Sequence, residues 1–234
     1  MKLSPIVFAP MLAAMSFVPA AADQTELLVI GNTSNNDSHF YMLSVRQSLS
    51  GDITEGLRLR FDASNAIYAT DYDATPGTGT VMTGRGLLSY VASVSNSTDI
   101  TMTGGVSYGA RAVTPDTLSS PDDSSNLGAF ASLEFYNYTT GGNDFHAMVE
   151  YDSSFDTLYA SSTYEFNFGS FKAGPTANYL VEDVYSRTAA GLSASFDMSE
   201  NVEIKATAAW AEEQIDAAPA TDASYFELQV RTTF

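Results

Sequence analysis

Apolar and polar positions alternate along four long stretches of the chain. Across 54–65, Leu57, Leu59, Phe61 and Ala63 fall on one face, and Arg58, Arg60, Asp62 and Ser64 on the other. Across 99–111, Ile100, Met102, Val106, Tyr108 and Ala110 oppose Thr101, Thr103, Ser107 and Arg111. From Leu127, the series Leu127, Ala129, Ala131, Leu133 and Phe135 opposes Gly128, Phe130, Ser132, Glu134 and Tyr136. Across 184–196, Val184, Thr188, Ala190, Leu192, Ala194 and Phe196 oppose Arg187, Gly191, Ser193 and Ser195. A period of two sustained over ten or more residues predicts β-strands.

Extending this reading predicts twelve strands, near 24–32, 38–49, 54–70, 80–93, 98–112, 126–138, 143–153, 156–167, 170–181, 184–196, 200–213 and 222–234, with ten to fourteen as the bounds. Globular strands run about five or six residues, whereas a tilted strand needs about 9–11 to cross a bilayer. A soluble β-sandwich offers the same alternation, and strand length decides against it. Connections near 50–53, 94–97, 139–142, 168–169 and 197–199 are tight, while those near 33–37, 71–79, 113–125 and 214–221 are longer and rich in Asn, Asp, Ser, Pro and Gly. That alternation matches the short periplasmic turns and long outer loops of an outer-membrane barrel; 154–155 and 182–183, both short, break it.

Hydrocarbon leaves no partner for an open sheet edge, so the pattern predicts an antiparallel up-and-down barrel closing its last strand on its first. An even strand number sets both termini on the periplasmic side. In the last strand Phe226, Leu228, Val230, Thr232 and Phe234 share a face, and the final Phe234 resembles the terminal signal by which barrel-assembly machinery recognises its clients. Tyr68 with Tyr72, Tyr136 with Tyr138, Tyr151 with Phe155, and Tyr179 with Tyr185 lie near strand ends, where an interfacial girdle belongs; ordinary β-propensity also accounts for them.

The first 22 residues have a different character. Met1-Lys2, an apolar run from Pro5 to Val18, and Pro19-Ala20-Ala21-Ala22 form the three regions of a cleavable signal peptide, leaving 23–234 as the barrel. The chain is then expected to pass through the periplasm to the outer membrane of a Gram-negative bacterium, with membrane lipid as its surroundings. Without Lys2, nine basic residues stand against 28 acidic ones, a net charge of −19. Such a balance excludes nucleic acid as a partner. There is no cysteine, so packing and hydrogen bonding alone close the structure. Beyond the leader no 18-residue apolar stretch occurs to form a membrane helix.

Three stretches carry a resemblance. Gly56-Leu57-Arg58-Leu59-Arg60-Phe61 leads to Ile67-Tyr68; Ser107-Tyr108-Gly109 leads through Thr114-Pro115-Asp116 and Pro121-Asp122-Asp123 to Asn126-Leu127-Gly128; Lys172-Ala173-Gly174-Pro175 precedes Tyr185-Ser186-Arg187 and Gly191. Their order resembles the cellulose biosynthesis protein BcsS family, although Thr176 stands where that family's pattern has an acidic residue and the strands are less aromatic. The resemblance implies an outer-membrane barrel linked to cellulose or exopolysaccharide production, without catalytic activity, with cellulose-synthesis components as partners.

No motif assigns a catalytic residue, a cofactor or a metal. The only histidines are His39 and His146, and His146 shares a face with Met148 and Glu150; a hydrolase would need a nucleophile beside it. The loop 121–126 has oxygen ligands but lacks calcium-loop spacing. Arg58, Arg60, Asp62, Arg111, Glu134, Glu150 and Arg187 are the expected lumen-facing charges, and confined charges are expected to pair. Two alternatives to the exopolysaccharide reading stay open: a small general porin, and an outer-membrane lipid-modifying enzyme.

Overall fold

The expected twelve strands form one closed antiparallel ring. The computed structural model describes residues 25–72, 75–114, 124–139, 141–183, 185–215 and 220–234, so the expected leader lies outside the described residues. The strands are β1 (Thr25–Ser34), β2 (His39–Ser48), β3 (Gly56–Tyr72), β4 (Thr75–Ser95), β5 (Thr98–Thr114), β6 (Ser124–Tyr138), β7 (Asp144–Asp152), β8 (Thr157–Asn167), β9 (Lys172–Val181), β10 (Tyr185–Ser199), β11 (Val202–Ile215) and β12 (Thr221–Thr233). Each pairs with its neighbours in sequence, and β1 pairs with β12. That last seam is continuous from Glu26↔Thr233 to Ser34↔Tyr225, and Phe234 N donates to Thr25 O at 2.8 Å.

Three connections differ from expectation: the longer loop near 33–37 is only 35–38, the tight turn near 50–53 runs from 49 to 55, and the third is the most pronounced. The segment 71–79 is not a long loop: β3 continues to Tyr72 and β4 begins at Thr75, so the ladder runs from Gly56↔Val91 to Tyr72↔Thr75. Composition misled here, because the glycines at 77 and 79 lie within a strand whose backbone is still paired with β3.

The alternation maps onto two environments. Leu57, Phe61, Leu88, Met102, Val106, Leu127, Leu133, Leu192 and Phe226 point outward and are 40–79% exposed, an apolar belt that only lipid would cover favourably. Their sequence neighbours Arg60, Asp62, Ser89, Thr103, Ser107, Glu134 and Ser193 point inward and are buried. No helix appears among the described residues.

The aromatic girdles are not built from the expected pairs. Tyr68, Tyr136, Tyr138, Phe155 and Tyr185 line the lumen, and only Tyr151 and Tyr179 face outward; the side chain of Tyr72 lies outside the described ones. Period-two parity decides each case within a strand, whereas Phe155 enters the lumen with the turn that follows β7. The outward aromatics towards the outer loops include Tyr108, Tyr151, Tyr179, Trp210 and Phe226. Towards the termini they include Phe135 against Phe145 (6.0 Å between ring centres), Tyr164 against Phe166 (4.9 Å) and Phe168 against Phe171 (5.1 Å). Both sets stand where amphipathic rings favour a membrane–water boundary.

The β8–β9 ladder is interrupted between Thr163↔Thr176 and Phe166↔Ala173. Pro175 has no N–H to donate there. The strands nonetheless stay close: a Cβ on Gly174 would lie 1.9 Å from the Tyr164 carbonyl oxygen. Thr176 Oγ1 donates to Ser162 O at 3.2 Å and lies 2.9 Å from Thr163 Oγ1, restoring polar contact beside the gap. We therefore expect Gly174→Val to abolish the folded, fast-migrating band of unboiled gels, whereas Gly84→Ala, with no atom within 4 Å of the added methyl, retains it; equal behaviour of the two variants would contradict this account of the seam.

Candidate functional site

Every lysine and arginine beyond Lys2 projects into the lumen: Arg46, Arg58, Arg60, Arg85, Arg111, Lys172, Arg187, Lys205 and Arg231. Confining charges away from bulk water is favourable only if they find partners. Three arginines on successive strands do so by reaching across the interior. Arg60 on β3 pairs with Asp62 at 2.9 Å and with Glu134 on β6 at 3.6 Å. Arg85 on β4 pairs with Asp152 on β7 at 2.8 Å and approaches Glu150 at 4.0 Å. Arg111 on β5 reaches Glu182, just past β9, at 3.3 Å. Phe130 lies beneath Arg85 (4.5 Å to the ring centre) and Phe155 beneath Arg111 (4.7 Å). This ladder crosses the lumen from the β3–β5 wall.

A second network lies near the end that carries the termini. Glu26 joins Arg46 at 3.0 Å and Arg231 at 3.9 Å, and Arg231 joins Glu203 at 3.2 Å. Lys205 meets Glu165 at 3.0 Å, which also accepts from Ser193 (2.9 Å) and Ser195 (3.3 Å). Lys172 meets Asp144 at 2.5 Å. Parity places these residues inside, but the sequence gives no means of pairing them, since the partners are separated by up to 205 positions (Glu26 to Arg231).

The expected lumenal charges are therefore all on the inner face, with different surroundings. Arg60, Asp62, Glu134, Glu150 and Arg111 join the ladder. Arg58 is buried with no ion pair among the described residues, and Arg187 stacks over Tyr225 at 5.0 Å. Ladder members that sequence reasoning missed are Arg85, Asp152 and Glu182; Arg85 shares the inward parity of Leu87 and Ser89, which was the available signal.

The short connection 153–156 explains why it departs from the expected loop pattern: it folds inward. Ser153 N donates to Ala129 O at 2.9 Å, and Ala129 N donates to Ser153 Oγ at 2.8 Å, extending the β6 pairing by one residue. The chain then turns in, burying Ser154 and Phe155, and Asp156 takes a left-handed φ of 49°. Asp152 Oδ1 accepts from Ser107 Oγ (2.6 Å), Ser154 N (3.0 Å) and Ser154 Oγ (2.7 Å). Room for the turn comes from inward glycines: a Cβ on Gly128 would lie 2.4 Å from Ser154 N, and one on Gly109 would lie 2.4 Å from the Phe155 ring. Beside it, burial holds the Glu182 carboxyl above the usual carboxylate range, against the smaller opposing pull of Arg111. Glu182 is thus neutralised at higher pH than a free carboxylate, and its hold on Arg111 weakens as pH falls.

His146 stacks on Tyr136 at 4.1 Å, with Nε2 3.9 Å from Glu134 Oε2. That Nε2 has no hydrogen-bond partner among the described residues, so no hydroxyl is aligned with it for nucleophilic attack. Of the acidic loop, 121–123 lies outside the described residues and Ser124–Asn126 belongs to β6; no group of three metal-ligating side chains occurs among the described residues.

No family model and no curated protein matches the chain. Solved structures do. It is similar to the COG4313 outer membrane channel from Pseudomonas putida F1 (TM-score 0.55, 11% identity, covering 93% of this chain and 97% of that one). It is also similar to the transport unit of the autotransporter AIDA-I from Escherichia coli (0.54, 10%, 96% of each chain) and to LpxR from Salmonella typhimurium (0.52, 10%, 89% and 100%). Identities this low show the fold alone. That fold is the outer-membrane β-barrel.

The inturned connection gives a direct expectation. A lone cysteine at Ser154→Cys should resist a water-soluble maleimide, and adding either Gly128→Leu or Glu182→Gln should speed its labelling several-fold; equally fast labelling in all three backgrounds would show that the turn does not lie inside.

Proposed function

We propose that the chain is a non-enzymatic barrel of the Gram-negative outer membrane, exported through the periplasm, that serves cellulose-type exopolysaccharide production as a structural or assembly partner of the synthesis components. The observation that carries the non-porin part of this reading is the ladder of Arg60, Arg85 and Arg111 across the lumen, capped by Phe155. A general diffusion pore needs a wide aqueous path, which these ion pairs narrow. A lipid-modifying enzyme needs an activated nucleophile, and Nε2 of His146 has no hydrogen-bonded hydroxyl among the described residues.

The link to cellulose rests on the resemblance of the three motif stretches to the BcsS family. Its support is that several of those motif residues have specific structural work: Gly109 and Gly128 admit the inturned connection, Gly174 and Pro175 shape the β8–β9 seam, and Arg60 begins the ladder. Motifs of this kind preserve a lumen shape, not a set of reacting groups.

Two measurements test the proposal. In planar bilayers the intact barrel should give little steady conductance, and replacing 153–156 by Asn-Gly, a tight hairpin turn, should raise it several-fold. Deleting the coding sequence should reduce extracellular cellulose. Large porin-like steps from the intact barrel would overturn the plugged lumen, and unchanged cellulose output would overturn the exopolysaccharide role.

A further inference from the structure

One sector of the lumen departs from the polar rule. On β1 to β4, apolar side chains point inward as well as outward, and their register joins them into one row. Ile30 is directly opposite Met42, Phe40 opposite Ala66, and Ala66 opposite Val81, with Leu28 next along β1. All six line the lumenal cavity of about 530 Å³, whose wall elsewhere carries Arg60, Arg85, Arg111 and their acidic partners. Only Leu28 is fully covered by protein, so the others present apolar surface to the interior space. A polar edge adjoins the row along β1 and β12. There Ile30 is opposite Gln229 and Asn32 opposite Glu227, and Glu227 accepts from Gln229 Nε2 at 2.8 Å and from Asn32 Nδ2 at 3.4 Å.

An apolar wall in a hydrated lumen is unfavourable unless something apolar covers it. An apolar sector of wall with a few convergent polar groups at its edge, facing a cavity of a few hundred Å³, has the character of a small-molecule site. The basic side chains around the row are engaged: Arg111, opposite Val81 in the register, pairs with Glu182, and Arg46 and Arg231 pair with Glu26, so none of the three offers a free positive charge to an anion.

We propose that the outer half of the lumen, walled by Ile30, Phe40, Met42, Ala66 and Val81, binds a small uncharged aromatic molecule whose hydroxyl donates to Glu227. Its ring lies on the apolar row, and its hydroxyl turns to the β12 edge. The network of Glu26, Arg46, Arg231 and Glu203 on the terminus side forms the floor of the site. This inference is independent of the exopolysaccharide reading, since it concerns the lumenal wall and not the partner proteins.

The test is a ¹⁹F NMR titration of 4-fluorophenol into the full barrel in lipid nanodiscs, with empty nanodiscs correcting for partition into lipid. Saturable binding above the empty-disc signal is expected, and Ile30→Asn combined with Met42→Gln should weaken it at least tenfold. Ala66→Trp, which fills the site without adding polarity, should also abolish it and decides the matter if the double variant loses its folded gel band. No saturable signal in the unmodified barrel, or undiminished binding in folded variants, would overturn the proposal.

Discussion

In hydrocarbon a peptide N–H or C=O finds no water, and the fold follows from that constraint. Eleven hairpin ladders satisfy the strands internally, but they leave β1 and β12 with open edges until the two meet. Their seam, from Glu26↔Thr233 to Ser34↔Tyr225, converts a curled sheet into a closed ring. Once the ring is closed, every residue has one of two addresses. The side chains of each strand alternate between lipid and lumen, and the register of any strand fixes which set goes where. The interruption beside Pro175 stays tolerable because Gly174 lets the neighbouring backbones remain close.

Charge is sorted by the same geometry. A lysine or arginine on the lipid face at mid-membrane depth is destabilising by about 2–4 kcal/mol, and this chain places all of its described basic residues inside. Once inside, most of them are paired, and pairing draws Arg60, Arg85 and Arg111 to acidic partners three or four strands away around the ring. Ion pairing, the aromatic rings of Phe130 and Phe155, and the inward turn at 153–156 fill one side of the lumen. The adjoining sector on β1 to β4 keeps a cavity with an apolar row. The interior therefore has one part built for rigidity and another with space for a small molecule.

Much of the fold could be read from the chain, because period two is a local property. Strand identity, outward and inward sets, and the terminal position of β12 all follow from it. The features that were not legible are those in which distant segments meet. Arg85 and Asp152 are separated by 67 positions, and only barrel curvature brings them within 2.8 Å. The inward course of 153–156 leaves only the shortness of the connection as a trace, and its enabling glycines lie on other strands. Aromatic residues near strand ends looked like girdle members, yet Tyr136, Tyr138 and Tyr185 have the parity of the lumen. Position along a strand gives depth in the membrane, but only parity gives direction. The apolar row on β1 to β4 was hidden for a related reason: a strand such as β1, apolar on both faces, shows no alternation to interpret.

The central claim is that alternate side chains contact lipid and a closed, water-accessible interior. Nitroxide labels placed one at a time from 127 to 136 on β6, in the refolded barrel in bilayers, address it most directly. The account predicts an oscillation of period two, with molecular oxygen favoured at 127, 129, 131, 133 and 135 and restricted, more polar surroundings at the positions between. Accessibility that varies smoothly along the strand, or a water-soluble nickel complex reaching the odd positions freely, would contradict it.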